Sequence, residues 1–197
     1  EGLTNFAYGD FGSPVGGDLR FAASNEVTAL PFELERWNTS GASAVWVQVP
    51  ELVDSNTYIW AYWGNANETN FPASTTNGVV WSNGYAGVWH LDGYGGNALR
   101  DVTTNRNLAA NSNTEDAAGR IANGRNIDPN DYLNVADAAS LDLTAAVTLE
   151  GWVKLDSYPT EWSVVMIKGD AGSVRGYALY VRSTGDLLLS YYNSGSG

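Results

Sequence analysis

The sequence predicts an all-β protein made of antiparallel sheets, and three observations carry this prediction. Apolar and polar residues alternate in short runs, which is the pattern of strands with one buried face. Turn-forming residues separate the runs, and the chain holds 22 glycines and 6 prolines. Aromatic residues favour strands and are abundant, with 8 Trp and 11 Tyr. No segment of the sequence sustains a helical period.

The first half of the chain contains four predicted strands. In the second of them, Leu30 and Phe32 fall on one face while Glu33, Glu35 and Trp37 fall on the other, because side chains alternate along a strand. The fourth strand is almost entirely apolar, which predicts a central position with both faces covered. The four predicted strands cover residues 18–22, 30–37, 44–49 and 57–63.

The second half is predicted to contain a joining segment at 79–91, a loop-rich stretch at 92–118 and five strands. The joining segment includes a hairpin-type turn at Asn83–Gly84 and ends in an apolar strand around His90. A further hairpin turn is predicted at Gly185–Asp186, between the last two strands. The five strands are predicted at residues 132–135, 147–155, 162–168, 176–182 and 186–191.

The order of residues from Leu30 to Asn65 is distinctive. An acidic strand ends at Trp37, a turn at Gly41 leads to a strand containing Trp46, and an aromatic strand ends in Tyr62–Asn65. This order resembles a bacterial domain of unknown function, number 2341. The resemblance implies a secreted or envelope protein, because that family is found there and often directly precedes a laminin-G-like jelly roll.

The rest of the chain resembles that second module. The resemblance implies a small antiparallel β-sandwich at 1–78, which lacks its opening strand, followed by a laminin-G-like, concanavalin A-like jelly roll at 79–197, which lacks its closing strands. We therefore expect a fragment of a longer protein. The segments that carry this resemblance are Val88–Asp92, Arg100–Asp101, Ser140–Leu143, Val147–Val153, Ile167–Gly169 and Gly176–Tyr180.

Charge and composition exclude several classes of function. The net charge is −12, and acids outnumber bases in both halves of the chain, so phosphate backbones are repelled and nucleic acid is not an expected partner. The chain has no cysteine, which excludes disulfides, thiolate metal sites and cysteine nucleophiles. No apolar run approaches the roughly 20 residues that span a bilayer, so no membrane segment is expected.

Three titratable residues are the candidates for catalysis. Glu33 and Glu35 are expected about 6.5–7 Å apart on one strand face, which overlaps the carboxylate spacing of inverting glycosidases. We favour a solvated strand face, because the acids lie outside the jelly-roll module and the middle acid of the glycanase motif is absent. His90 is the only histidine, and we favour a buried, hydrogen-bonded structural role over a catalytic base. The sequence therefore predicts a protein that is not an enzyme.

Calcium is the cofactor that the sequence suggests, with Asp92 and Asp101 as its ligands. Both residues lie among Asn, Gly and backbone carbonyls, and hard oxygen ligands in loops suit calcium. Laminin-G-like jelly rolls often bind calcium, and the resemblance implies a site near Asp101. The alternative is that these Asp side chains accept hydrogen bonds from nearby backbone N–H groups in turns, which needs no metal. Similar loops contain Asp128, Asp131 and Asp170.

The candidate ligand-binding residues are aromatic. Trp162 follows a polar loop and is expected to be exposed, and Tyr191 and Tyr192 are the next candidates. Flat aromatic faces suit sugar rings, although interior packing is the ordinary role of such residues.

These observations predict a non-catalytic, carbohydrate-binding or adhesive module of an extracellular or cell-envelope bacterial protein, with a glycan or cell-surface polymer as its partner. The alternative is a structural, sensor or assembly region: part of a filament or adhesin subunit that self-associates through edge strands, or the extracytoplasmic part of a proton-channel-type protein. A glycan-active enzyme is the third hypothesis. The sequence names neither the sugar nor the flanking domains.

Overall fold

The computed structural model describes residues 6–92, 99–170 and 173–191. The all-β prediction is confirmed, because these residues form short antiparallel strands and their only helices are three-residue 3-10 turns. The strands are β1 (Arg20–Ala23), β2 (Phe32–Arg36), β3 (Ala44–Val47), β4 (Ile59–Tyr62), β5 (Ala109–Ser112), β6 (Glu115–Ala118), β7 (Asn123–Asn126), β8 (Tyr132–Val135), β9 (Trp162–Asp170), β10 (Ser173–Arg182) and β11 (Leu187–Tyr191). The 3-10 turns are Tyr8–Asp10, Ala73–Thr75, Val79–Trp81 and Ala139–Leu141.

Contacts divide the chain into two compact units, 1–136 and 137–197. The described residues of the first unit form four antiparallel strand pairs, β1–β4, β2–β3, β5–β8 and β6–β7. Residues on both sides of the predicted module boundary at 78/79 lie in this unit, and the boundary itself stays a prediction. The second unit contains a three-stranded antiparallel sheet in the order β11–β10–β9. The jelly-roll topology of residues 79–197 also stays a prediction.

The carboxylate of Asp18 organises the loops around β1. This side chain is 2% exposed and accepts the backbone N–H groups of Gly12, Ser13 and Gly64 at 2.9, 3.0 and 2.7 Å. Burial acts to raise the pKa of Asp18, but these N–H donors outweigh it and hold the pKa below its usual value. One buried carboxylate therefore connects the segment before β1 to the end of β4.

The strands predicted from local alternation near hairpin turns are confirmed. The strand at Tyr132–Val135 has the predicted bounds, and β9, β10 and β11 lie at the predicted positions. The turn at Gly185 forms as expected: its φ is +86°, and the N–H of Arg182 donates to the carbonyl of Asp186 at 2.9 Å. Glycine adopts this left-handed conformation without steric cost.

The predicted central position of the aromatic fourth strand is wrong. Among the described residues, β4 pairs with β1 alone, and its side chains Trp60 and Tyr62 are 40% and 41% exposed. Tyr58 packs edge-on against Trp60, with ring centroids 5.8 Å apart. An apolar run does not establish that a strand is covered, because aromatic rings that pack on each other leave much of their surface in solvent.

Two other predicted strands do not form. Residues 147–155 adopt no strand, and Trp152 and Val153 are 74% and 53% exposed. A strand exists only when a neighbour pairs with its backbone, and an alternating sequence does not supply that neighbour. The joining segment is also different: it begins with the 3-10 turn Val79–Trp81, and His90 lies outside any strand. Conversely, the stretch predicted as loop contains β5 and β6.

Within the described ranges, no helix has the length and apolar character needed to cross a membrane.

Candidate functional site

The acidic face of β2 is buried, which corrects the predicted solvated face. Glu33 and Glu35 are 8% and 6% exposed. The register pairs Glu33 with Trp46 across β2 and β3 and then shifts between Leu34 and Arg36. Such a shift lets one strand carry an extra residue and bend locally. The acids therefore lie inside the first unit, where each must be compensated.

Two indole N–H groups supply part of that compensation. The Nε1–H of Trp81 donates to Oε2 of Glu33 at 2.6 Å, in a buried setting. The Nε1–H of Trp46 donates to Oε2 of Glu35. Hydrogen bonds to a charged acceptor are stronger than neutral ones, and a buried carboxylate without a donor is costly. Trp81 reaches Glu33 because the 3-10 turn Val79–Trp81 lies next to this strand pair.

The ring of His90 lies between the two carboxylates. Its Nε2 is 3.6 Å from Oε2 of Glu33, and its Nδ1 is 3.8 Å from Oε2 of Glu35. The imidazole stacks on Trp46 at 5.6 Å and 10°, and it is tilted by 57° against Trp81 at 5.5 Å. The side chain of His90 is only 11% exposed, but its Nε2 makes no hydrogen bond within the described part of the chain, so the predicted hydrogen-bonded role stays a prediction. We call Glu33, Glu35, Trp46, Trp81 and His90 the acid–indole cluster.

The electrostatics of the acid–indole cluster raise the pKa of Glu35 above its usual value. Burial is the largest cause and raises the pKa of Glu35, and the charges of Asp92 and Glu33 act in the same direction. The charge of His90 and the hydrogen bond from Trp46 oppose it, without reversing it. A carboxyl group held in this way is less acidic than one in water.

The acid–indole cluster has the residue types of a catalytic centre, but its side chains are enclosed. The side chains of Glu33, Glu35 and His90 are 10%, 3% and 11% exposed. In the ranges that the structure describes, no group of three or more His, Cys, Asp or Glu residues is placed to hold a metal ion. In this structure, the arrangement compensates buried charge and orders aromatic packing.

The candidate metal ligand Asp101 lies in a different environment, and its oxygens face N–H donors. It is completely buried, and its Oδ1 accepts the backbone N–H groups of Val88 and Thr103 at 3.1 and 2.9 Å. Its Oδ2 accepts both the backbone N–H and the side-chain amide of Asn107, at 3.1 and 3.2 Å. This geometry matches the turn chemistry that was the alternative to calcium. Asp92, the other candidate, is 5% exposed and acts electrostatically on Glu35.

The aromatic candidates lie in the second unit. Trp162 begins β9 and is 56% exposed, in agreement with its predicted exposure. The guanidinium carbon of Arg182 is 5.5 Å from the indole centroid, and the ring of Tyr180 meets the indole edge-on at 5.6 Å. Tyr191 is 39% exposed and donates its hydroxyl to the carbonyl of Thr144 at 2.6 Å. Tyr192 lies outside the described residues.

Sequence reasoning separated residues that the structure brings together. It considered Glu33 and Glu35 as a pair and His90 alone, and it did not connect them to Trp46 or Trp81. One signal was available, because the predicted turn at Gly41 places Trp46 opposite the acids in a hairpin. Contact with Trp81, 48 residues from Glu33, has no such local signal.

The fold and the acid–indole cluster define the first unit as an all-β module with a buried polar centre. Residues 15–94 match the family described as Domain of unknown function (DUF2341). This match confirms the first part of the resemblance, and it includes every residue of the acid–indole cluster. No curated protein and no solved structure matches the chain. The laminin-G-like resemblance of the later residues stays a prediction.

Proposed function

We propose that this chain is a non-catalytic glycan-binding module of an extracellular or cell-envelope protein. The observation that supports the proposal is the exposure of Trp162 at the start of β9, where 56% of the residue faces solvent. A large aromatic surface is costly to leave in water, and flat indoles suit the apolar faces of sugar rings. Localisation follows from the family resemblance alone and belongs to the same proposal.

The neighbours of Trp162 support a binding role, because they hold the indole in place. The guanidinium carbon of Arg182 lies over its ring, 5.5 Å from the centroid, and Tyr180 packs against it edge-on. A platform that is ordered before the ligand arrives loses less conformational entropy on binding. Tyr158 is 65% exposed and packs beside the Gly185 turn, which follows Arg182 by three residues. The same segment lines an open depression of about 550 Å³, formed by Leu155, Asp156, Ser157 and Tyr158.

The alternative of catalysis is less well supported. The acids and the histidine that could act as acid, base or nucleophile are enclosed in the acid–indole cluster, with side chains at most 11% exposed. A catalytic acid or base must come within hydrogen-bond reach of the substrate. We therefore propose binding rather than turnover.

The test is a binding survey with soluble polysaccharides, by calorimetry or affinity electrophoresis. We expect the chain to bind at least one of them and the Trp162→Ala variant to lose that binding. Trp60→Ala is the matched control, because it removes another half-exposed tryptophan from a strand of the first unit. Binding that Trp162→Ala leaves unchanged, or no binding to any polysaccharide, contradicts the proposal.

Calcium support of this binding is part of the proposal, on the strength of the laminin-G-like resemblance. A bound ion stabilises the folded state by mass action, so calcium is expected to raise the thermal midpoint relative to a chelator. An unchanged thermal midpoint contradicts the calcium proposal and leaves the proposal of glycan binding standing.

An assembly role is the second candidate, and the edge strand β11 favours it. Leu187 and Leu189 on this strand are 70% and 55% exposed. Edge strands with exposed apolar side chains are templates for pairing between chains. Sedimentation velocity tests this role: self-association that Leu189→Lys abolishes supports it, and a monomer at all concentrations contradicts it.

A further inference from the structure

Arg182 differs from three other cations of the described residues, which pair with carboxylates. Arg20 pairs with Glu68, Arg125 with Asp116 and Lys168 with Asp137 and Asp142. In the described part of the chain, the guanidinium of Arg182 forms no ion pair with a carboxylate, and it lies over the indole of Trp162. In a chain of net charge −12, this cation lies at the one surface already proposed to bind sugars.

The acids closest in sequence do not neutralise Arg182. Asp186 faces it across the turn but accepts the hydroxyl of Thr184 at 2.6 Å. Glu161 precedes Trp162, and its backbone carbonyl accepts the N–H of Ser183 at 2.8 Å. Neither carboxylate lies within 4.0 Å of the guanidinium.

Stacking leaves the hydrogen-bonding capacity of an arginine intact. A guanidinium that lies over a ring uses its flat face, whereas its five N–H donors point outward in its plane. Those donors match the two oxygens of a carboxylate, and such paired contacts are stronger than neutral hydrogen bonds. The indole also limits the rotamers of the arginine, which lowers the entropy lost when an anion binds.

We infer that the surface formed by Trp162 and Arg182 selects acidic polysaccharides, with a sugar ring on the exposed part of the indole and a carboxylate of the same or the next sugar on Arg182. This inference rests on the proposed function of the same site and adds the class of ligand. Uronic acid polymers have the required chemistry, because each unit carries both a ring and a carboxylate.

The overall charge of the chain does not favour binding of an acidic polymer. A chain of net charge −12 repels polyanions at long range, so a preference for an acidic polymer cannot arise from general electrostatic attraction. At physiological salt the screening length is about 8 Å, so salt weakens the repulsion between distant charges. A direct contact between two opposite charges is weakened less. The selectivity must therefore depend on Arg182 itself.

The experiment measures binding of alginate, dextran sulfate and dextran at about 150 mM salt, a concentration that screens long-range charge. The variants are Arg182→Gln, Trp162→Ala and the matched control Arg120→Gln, which removes an exposed arginine from the first unit. Thermal melts establish that each variant is folded. We expect the unaltered chain to bind alginate about tenfold or more tightly than dextran, as one charge-assisted contact provides.

Arg182→Gln is expected to reduce alginate binding to the level of dextran, while Arg120→Gln leaves it unchanged. Trp162→Ala is expected to abolish binding of both polymers. Equal binding of alginate and dextran, with both lost in Trp162→Ala, overturns the acidic selectivity and leaves the glycan-binding function standing. An Arg182-dependent preference for dextran sulfate over alginate overturns the assignment of a carboxylate. No binding of any polymer overturns the proposed function together with this inference.

Discussion

The Asp18 carboxylate accepts the backbone N–H of Gly64 at 2.7 Å, although 46 positions separate the two residues. The same oxygen also accepts the N–H of Gly12, at 2.9 Å. The end of β4 is therefore fixed to the loop before β1 through a side chain rather than through sheet pairing alone. A long-range contact of this kind contributes most to stability while the acceptor is ionised, because hydrogen bonds to a charged acceptor are stronger than neutral ones.

Asp18→Asn is expected to destabilise the chain by about 2–4 kcal/mol, because the amide group turns a donor toward backbone N–H groups that need acceptors. The lowered pKa of Asp18 also sets the sign of a pH effect. The contribution of the ionised group is fully present above the unfolded pKa of about 3.9 and is lost as the pH falls through the lower folded pKa. Urea unfolding from pH 2.5 to 7 measures the difference in free energy of unfolding between the unaltered chain and Asp18→Asn. This difference should become smaller as the pH falls toward 2.5. A difference that stays constant across this range contradicts the role of ionisation.

Glu35→Gln is expected to alter the pH dependence of stability in the opposite sense. Burial raises the folded pKa of Glu35, so its stabilising contribution is fully present below the unfolded pKa of about 4.3 and is lost as the pH rises through the folded pKa. The amide does not titrate, and its oxygen still accepts the N–H of Trp46. The stability of Glu35→Gln relative to the unaltered chain should therefore increase as the pH rises above about 4. Glu115→Gln, on the exposed face of β6, is the control and should show no such trend.

The bond between Trp81 and Glu33 is expected to be energetically coupled. Trp81→Phe removes the indole N–H and leaves a buried carboxylate oxygen with one donor fewer. A double-mutant cycle with Glu33→Met, which has no carboxylate oxygen to accept the indole N–H, should give a coupling energy of about 1–3 kcal/mol, measured by urea unfolding. Trp37→Phe supplies the comparison, since its N–H donates to the neutral carbonyl of Pro14 in an exposed setting. A coupling energy near zero would show that the contact adds nothing to the packing of the rings.

Gly78→Ala is expected to cost more than Gly84→Ala, although both glycines have nearly the same positive φ, +85° and +82°. An added Cβ at Gly78 lies 2.7 Å from the backbone carbonyl carbon of Thr103, whereas at Gly84 it meets nothing within 4 Å. Gly84→Ala therefore reports the conformational cost alone, about 1–2 kcal/mol. Gly78→Ala adds a steric cost of about 1–3 kcal/mol. If denaturant unfolding shows that both variants lose the same free energy of unfolding, the backbone at Thr103 moves away from the added Cβ without cost.

Asp101→Asn is expected to lower the thermal midpoint by the same amount in calcium and in a chelator. The four contacts of this carboxylate come from N–H groups, and the amide can replace only some of them. The loss should be about 2–4 kcal/mol. A destabilisation seen only when calcium is present would instead identify Asp101 as a metal ligand.

Local sequence signals predicted much of the fold. The strands β9, β10 and β11 and the turn at Gly185 follow from alternation and one glycine, both of which act within a few residues. Residues 147–155 have the same alternation without a partner strand, so the sequence alone could not distinguish them from a strand.

The acid–indole cluster could not be predicted in the same way. Alternation assigned Glu33 and Glu35 to one face correctly but could not show that the face is buried, because burial depends on Trp81 and His90 from distant positions. The exposure of Trp162 was predicted from its neighbours in sequence. Its contact with Arg182 depends on the register between β9 and β10, which alternation does not fix.

The three-residue 3-10 turn at Val79–Trp81 has a consequence for how this chain can vary. Each residue of a 3-10 helix rotates the backbone by about 120°. One residue gained or lost between Gly78 and Trp81 therefore aims the indole a third of a revolution away from Glu33. The number of residues in this single turn is therefore constrained by the position of the Glu33 carboxylate, which accepts the indole N–H of Trp81 at 2.6 Å.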